Sequence, residues 1–259
     1  MGLGAKADTI TVVKSTHSDH LLLRAIDHAN TATKRWVLGA LRLWWHGAEL
    51  CARCLSLGLY VGANGARVRE QIYQATWPLV AGYSVLTGLL SVVIIRIVLA
   101  AAADYGLSQF ALNLLIRTLV LEVIPLLAAT YVALRFVMVR QASARTPIGA
   151  ATTAVGAGFA VCFLAVTSAI LVSGIAYLSV FGLSPWGGPA FTALIGAIFT
   201  PTVALVLVLK TLLFAGAVAV VPLVSARRHI PELSASRRFA RLFGVLLLIE
   251  LLSLVGNYY

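Results

Sequence analysis

Charge is scarce in these 259 residues: 11% are charged, 9 are acidic and 60% are hydrophobic. A water-soluble domain carries roughly 25% charged residues, so this composition, with a mean hydropathy of +0.94, excludes an ordinary soluble fold. The chain has to live in a membrane. Its net charge of +11 does not indicate nucleic acid, because a nucleic-acid binder presents its Lys and Arg on a solvated face. A basic rim at the membrane surface is the better reading. The three cysteines, Cys51, Cys54 and Cys162, are too few for a disulfide framework, and the odd count leaves at least one free. Residues 1–20 lack the apolar core of a signal peptide and carry Lys6, Asp8, Lys14 and Asp19. The expectation is a protein that keeps its own N-terminus and inserts through internal segments.

Catalytic signatures are equally sparse. The phosphate-binding loop needs glycines ahead of a Lys-[Ser/Thr] pair so that backbone amides can cradle phosphate. Neither Lys14-Ser15 nor Lys210-Thr211 has them. There is no His-Glu-x-x-His, and Ser173-Gly174 has no identifiable base. Cys51-Ala-Arg-Cys54 has CxxC spacing, but zinc needs two further ligands and His46 is the single close candidate. A pair of small half-buried thiols is the simpler reading, and His17, His20 and His28 read as solvated tail residues. No metal site, no cofactor and no enzymatic activity are expected in this chain.

What is present is hydrocarbon. A spanning helix needs roughly 20 apolar residues, and five stretches approach or exceed that: Pro78 to Ala103, Phe110 to Met138, Ile148 to Leu183, Pro189 to Val224, and Phe239 to Val255. Pro201 and Pro222 offer the fourth two places to bend. Basic residues cluster before the first stretch (Lys6 to Arg69), between the second and third (Arg135, Arg140, Arg145), and between the fourth and fifth (Arg227, Arg228, Arg237, Arg238, Arg241). The other two connections and the tail after Val255 carry none. Cytoplasmic loops retain positive charge, so the alternation predicts five spans, with the N-terminus cytoplasmic and the C-terminus periplasmic.

Ahead of these lies a mixed segment. Between Thr33 and Val61, Lys34, Arg35, Arg42, His46, Glu49 and Arg53 interrupt Trp36, Leu38, Leu41, Trp44, Trp45 and Leu55. That pattern reads as an amphipathic interfacial elbow helix, with Asn64-Gly65 as a turn into the first span. The expected organisation is a polar N-terminal tail over 1–32, an interfacial amphipathic segment over 33–77 and a five-helix transmembrane domain over 78–259, all of it α-helical.

Charges inside spans are costly and face a partner or a wet cavity. They are Arg96, Arg117, Glu122, Lys210 and Glu250. One reading is an outward-open cavity in which Arg96 and Arg117 meet a phosphate headgroup while apolar walls suit acyl chains, with Glu250 a further lipid-binding candidate. The other is structural pairing, Glu250 with either arginine and Glu122 with Lys210.

The second span carries Glu122-Val-Ile-Pro125-Leu-Leu-Ala128-Ala129, followed by Arg135. This resembles the Glu-Leu-Gly-Pro, Ala-Ala, Gly-Arg signature of the MlaE permease family, the membrane subunits of MCE-associated lipid ABC transporters. Further on, Lys210-Thr211-Leu-Leu-Phe214 resembles that family's Lys-[Ser/Thr]-x-x-Phe in the fourth span. The likeness runs from about Arg67 to the end. It implies a permease subunit in the inner membrane of a Gram-negative bacterium, multi-pass, moving phospholipid through a cavity shared with a second permease subunit, as homodimer or heterodimer. It also implies a partner ABC ATPase that supplies ATP and magnesium chemistry, and an MCE-domain protein; nucleic acid has no part.

The chain departs from the pattern at Ile124, Leu134 and Val137, where the family has Gly. It departs more strongly between Phe136 and Pro147, where Arg140 and Arg145 replace a longer acidic segment that docks the ATPase. Glu232-Leu-Ser-Ala-Ser-Arg-Arg238 likewise replaces a Gly-Val-Gly-x-Ala-Thr-Thr run. Arg140, Arg145, Arg227, Arg228, Arg237 and Arg238 are accordingly candidates for contact with an acidic partner or anionic lipid, or anchors of the cytoplasmic rim. The alternative function is a degenerate, non-transporting scaffold subunit that anchors other components of such a complex.

Overall fold

A computed structural model describes residues 45, 47–139, 146–227 and 235–258, and all regular structure among them is helical. The chain divides into two units, Met1–Ala48 and Glu49–Tyr259. Nearly all of the first, including the expected polar tail and the start of the elbow with His46, lies outside the described residues. The architecture below is that of the second.

Residues 49–55 are helical, with an exposed Arg53–Glu49 ion pair at 2.9 Å one turn apart. A 3-10 turn over Leu57–Leu59 follows, and then helix α1, Gly62–Ala103. The expected Asn64-Gly65 turn is therefore displaced: the chain turns over residues 56–61, and both residues lie in the first turns of α1. Gly62 supplies the positive φ of +64° that starts the helix. Gly65 serves close approach, since a Cβ there would sit 2.3 Å from the Tyr60 carbonyl oxygen. At 42 residues, α1 is about 63 Å long, twice the bilayer core. The expected first span, from Pro78, is its C-terminal part, and the line drawn between residues 77 and 78 falls within one continuous helix.

A short turn with Gly106 at φ +69° leads into α2. This is one run assembled from α-helical Ser108–Thr118, a π-helical turn Leu119–Val123, α-helical Ile124–Val132 and a second π-helical turn Ala133–Val137. Helix α3, Pro147–Phe181, starts from a Thr146 cap whose Oγ1 accepts from the Gly149 N–H at 3.1 Å, with proline at its first position. It stops at Gly182, φ +61°.

The fourth apolar stretch, expected as one segment, is two helices. After a 3-10 turn Pro185–Gly187 come α4, Gly188–Ile198, and α5, Pro201–Arg227. The break falls at Phe199 and Thr200, because the residue before a proline is pushed out of the helical region. The 11 residues of α4 rise about 16 Å, too little to cross hydrocarbon. Pro222 stays inside α5. The last helix, α6, is Ala235–Tyr258.

Four described helices are long and apolar enough to cross a membrane: α1, Phe110–Val137 within α2, α3, and Pro201–Leu223 within α5. The chain is an all-helical, multi-pass membrane protein. Helix α3 is its hub, packing on α1 most extensively, then on α5 and α2, while α6 packs on α5. Ala150, Ala154, Ala157 and Ala160, all at most 3% exposed, keep that hub slim. Gly156 lets it touch α1, since a Cβ there would lie 2.9 Å from the Gln71 carbonyl oxygen. Gly88 of α1 meets Leu171 further along. Both contacts advance in the same direction, so α1 and α3 run parallel.

Candidate functional site

The most polar point inside the bundle is built from three helices. Lys210 of α5 is 3% exposed. Its ammonium donates to Glu122 Oε2 of α2 and, at 2.9 Å, to Glu250 Oε1 of α6, with Glu250 Oε2 also 2.9 Å away. The two carboxylate side chains are 12% and 13% exposed. The Phe214 ring, fully buried one turn along α5, lies with its centroid 5.9 Å from the ammonium. With all three groups ionised the cluster carries one net negative charge, which one further proton or cation neutralises.

Each position has a local cause. Glu122 stands in the widened turn Leu119–Val123, three residues before Pro125. Proline has no N–H to give the carbonyl four residues back, and its ring presses on that carbonyl; a π-helical turn takes up the misfit and re-aims the side chains it holds. The Tyr83 hydroxyl of α1 donates to the Ile124 carbonyl oxygen at 3.1 Å in the same stretch. On α6, Leu242 and Leu246 are fully buried, and Glu250 is the next residue on that i, i+4 stripe, which brings it to Lys210.

The residues carrying the family resemblance thus meet. Glu122 and Lys210 pair as expected, Phe214 sits under the ammonium, and Pro125, Ala129 and Thr211 are buried nearby on the same two helices. Arg135 is exposed in the second π-helical turn, at the end of α2.

The arginines do not join them. Glu250 pairs with Lys210, whereas pairing with Arg96 or Arg117 was one expectation. Arg96 is exposed on α1 between exposed Val92, Val93 and Ile97, and Arg117 is half-buried on α2. A cavity between α1 and α3 is lined by neither arginine. Arg237 is exposed and Arg238 half-buried at the start of α6; Arg140, Arg145 and Arg228, and the side chain of Arg227, lie outside the described residues. Sequence reasoning missed Glu250 as the third member of the cluster, although the Leu242–Leu246–Glu250 spacing carried the signal.

Cys51 and Cys54 are free thiols. Cys54 Sγ donates to the Ala151 carbonyl oxygen at 3.7 Å, tying residues 49–55 to the start of α3. Burial, and secondarily Cys51 beside it, push the Cys54 thiol up to about 11. Among the described residues, no group of three or more His, Cys, Asp or Glu gathers to hold a metal.

Comparison of the chain with protein-family models, with curated proteins and with solved structures finds no match.

Proposed function

We propose that this chain is the permease subunit of an MCE-associated lipid ABC transporter, and that it moves phospholipid non-covalently through a cavity formed with a second permease subunit. The observation that carries the reading is the contact of Lys210 with Glu122. The two sequence patches that resemble the MlaE family lie 88 positions apart, and their charged residues make one ionic cluster. Opposite charges in apolar helices pair in any family, so what supports the reading is that these two belong to the two motif patches.

In this reading α6 is the fifth span, the N-terminus is cytoplasmic and the C-terminus periplasmic in a Gram-negative inner membrane. The parallel course of α1 and α3 supports that order. ATP hydrolysis belongs to a partner subunit, whose cycle shifts the paired permeases between states that favour loading and release. Glu122, Lys210 and Glu250 link α2, α5 and α6, so relative movement of these helices costs or recovers a buried ion pair. Arg117 and Arg96 are the headgroup candidates.

The test is gentle purification of the tagged protein from its native membrane with mass spectrometry of proteins and lipids. The reading expects an ABC ATPase, an MCE-domain protein and bound phospholipid; a chain that comes alone overturns it. A second reading, a non-transporting scaffold subunit, is favoured by the acid-free connection between Val137 and Pro147. It expects the MCE-domain protein without the ATPase.

A further inference from the structure

Two carboxylates and one ammonium meet at Lys210, and their charges do not balance. Among the described residues, the ion pairs of Glu122 and Glu250 are both made with Lys210. The other charges on these three helices are Arg117, five residues before Glu122; Arg135 and Arg227, in the last turns of α2 and α5; and Arg237, Arg238 and Arg241, nine or more residues before Glu250. Helix α3, the hub, carries no charged residue. Fully ionised, the triad itself holds one excess negative charge beside fully buried Phe214, Leu242 and Leu246. An excess charge among hydrocarbon side chains is costly.

The excess gathers at one oxygen. Glu250 accepts from the Lys210 ammonium through Oε1 at 2.9 Å. Its Oε2 is closed off from solvent and accepts no hydrogen bond, although it also lies 2.9 Å from that nitrogen. Glu122 stands within hydrogen-bonding reach of Glu250. Two carboxylates in contact repel unless a proton lies between them, which turns one acceptor into a donor. A metal ion would instead need several oxygens converging on one point. Here that point is filled by the ammonium, the Phe214 ring lies beside it, and the Thr211 hydroxyl is donated to the Leu207 carbonyl oxygen. A proton needs one oxygen, and Oε2 supplies it.

We infer that the Glu122–Lys210–Glu250 cluster is a one-proton site, in which Glu250 Oε2 holds the proton and donates it to Glu122, leaving Glu122 as the counter-ion of Lys210. Release of the proton sets Glu122 of α2 against Glu250 of α6 with a single ammonium between them, and so loosens α6 from its neighbours; uptake ties it back. The Lys210 side chain is 2% exposed while the two carboxylates keep 12% and 13%, so exchange runs through the carboxylates. The site needs the cluster and membrane insertion alone, and it stands whether or not the chain partners an ATPase.

Infrared spectroscopy of the full-length protein in lipid bilayers tests it, through the carbonyl stretch of a protonated carboxyl group. At a pH of about 6, where an ordinary glutamate, titrating at about 4.3, is ionised, a protonated-carboxyl band is expected. Glu250→Gln removes that band. Glu122→Gln removes it as well, because Lys210 then balances the one carboxylate left, an effect that a purely structural ion pair does not produce. Exchanging choline chloride for sodium chloride leaves the band unchanged. Absence of the band in the unaltered protein overturns the inference, as does its survival in either variant. Loss of the band in sodium alone overturns it in favour of a metal-ion site. A single symmetric gel-filtration peak for each variant separates a lost proton from a lost fold.

Discussion

Lys210 on α5 holds Glu122 on α2 although 88 residues separate them, and it does so 3% exposed in the apolar interior of the bundle. An ammonium in that position is stable because it has two carboxylates, and each carboxylate is stable because it has the ammonium. The arrangement predicts unequal consequences for its members.

Lys210→Met leaves two carboxylates facing one another without a cation. Removing one partner of a buried ion pair costs about 3–5 kcal/mol, so this variant loses most of its detergent-stable folded fraction. Glu250→Gln leaves the Lys210–Glu122 pair intact and costs less. Thermal unfolding followed by gel filtration checks the order, and equal melting temperatures for the two variants would contradict the cluster.

Gly156→Val drives two methyl groups into the Gln71 backbone, where even a Cβ would stand 2.9 Å from oxygen. Backbone cannot give way as a flexible side chain can, so α1 and α3 separate at about 1–3 kcal/mol. Gly174→Val, where a Cβ meets nothing within 4 Å, is tolerated. The pair is compared by melting temperature.

Cys54 reacts slowly with maleimide at pH 7, because only the thiolate attacks and the thiol is pushed up to about 11. Its rate rises about ten-fold per pH unit from 7 to 10, as the thiolate fraction grows below that value. Peptide mass spectrometry of the labelled protein follows it separately from exposed Cys51, and a rate at Cys54 that levels off near pH 8 would refute the burial.

If the chain is the permease subunit proposed above and Arg117 meets headgroups, Arg117→Ala impairs lipid transfer by the reconstituted complex without preventing its assembly. Transfer between donor and acceptor vesicles measures the first, and co-purification of partner subunits the second. Loss of the folded complex in the same proportion assigns Arg117 a structural role. Arg96→Ala, on the exposed face of α1, leaves the fold intact in either case.

Much of the architecture was legible because hydropathy and helix length are local properties. The starts of α3 and α5 are written in Thr146-Pro147 and Pro201, and the ends of the long apolar helices fall within a few residues of where the hydrophobic runs stop. The extension of α1 back to Gly62 was not, because residues 62–77 mix Arg67, Arg69 and Glu70 with apolar positions and read as interface. Packing on α3 along its whole length, with Gly156 against Gln71, keeps that stretch helical. The break before α5 was marked by Pro201, but an unbroken bent helix was equally compatible with the sequence.

Residue identity by itself determined that the chain belongs in a bilayer, since exposing so apolar a surface to water is unfavourable and hydrocarbon removes that cost. It also placed five ionisable groups inside apolar helices and offered Glu122 with Lys210 as a pair in one of two readings. The Leu242–Leu246–Glu250 spacing put Glu250 on a buried stripe, and tertiary structure decided which charge it meets there. Glu250 joins Lys210 rather than an arginine because the α6 face carrying Leu242 and Leu246 docks on α5. Facing direction is a property of helix pairs, fixed by packing between elements far apart in the chain, and no single helix encodes it.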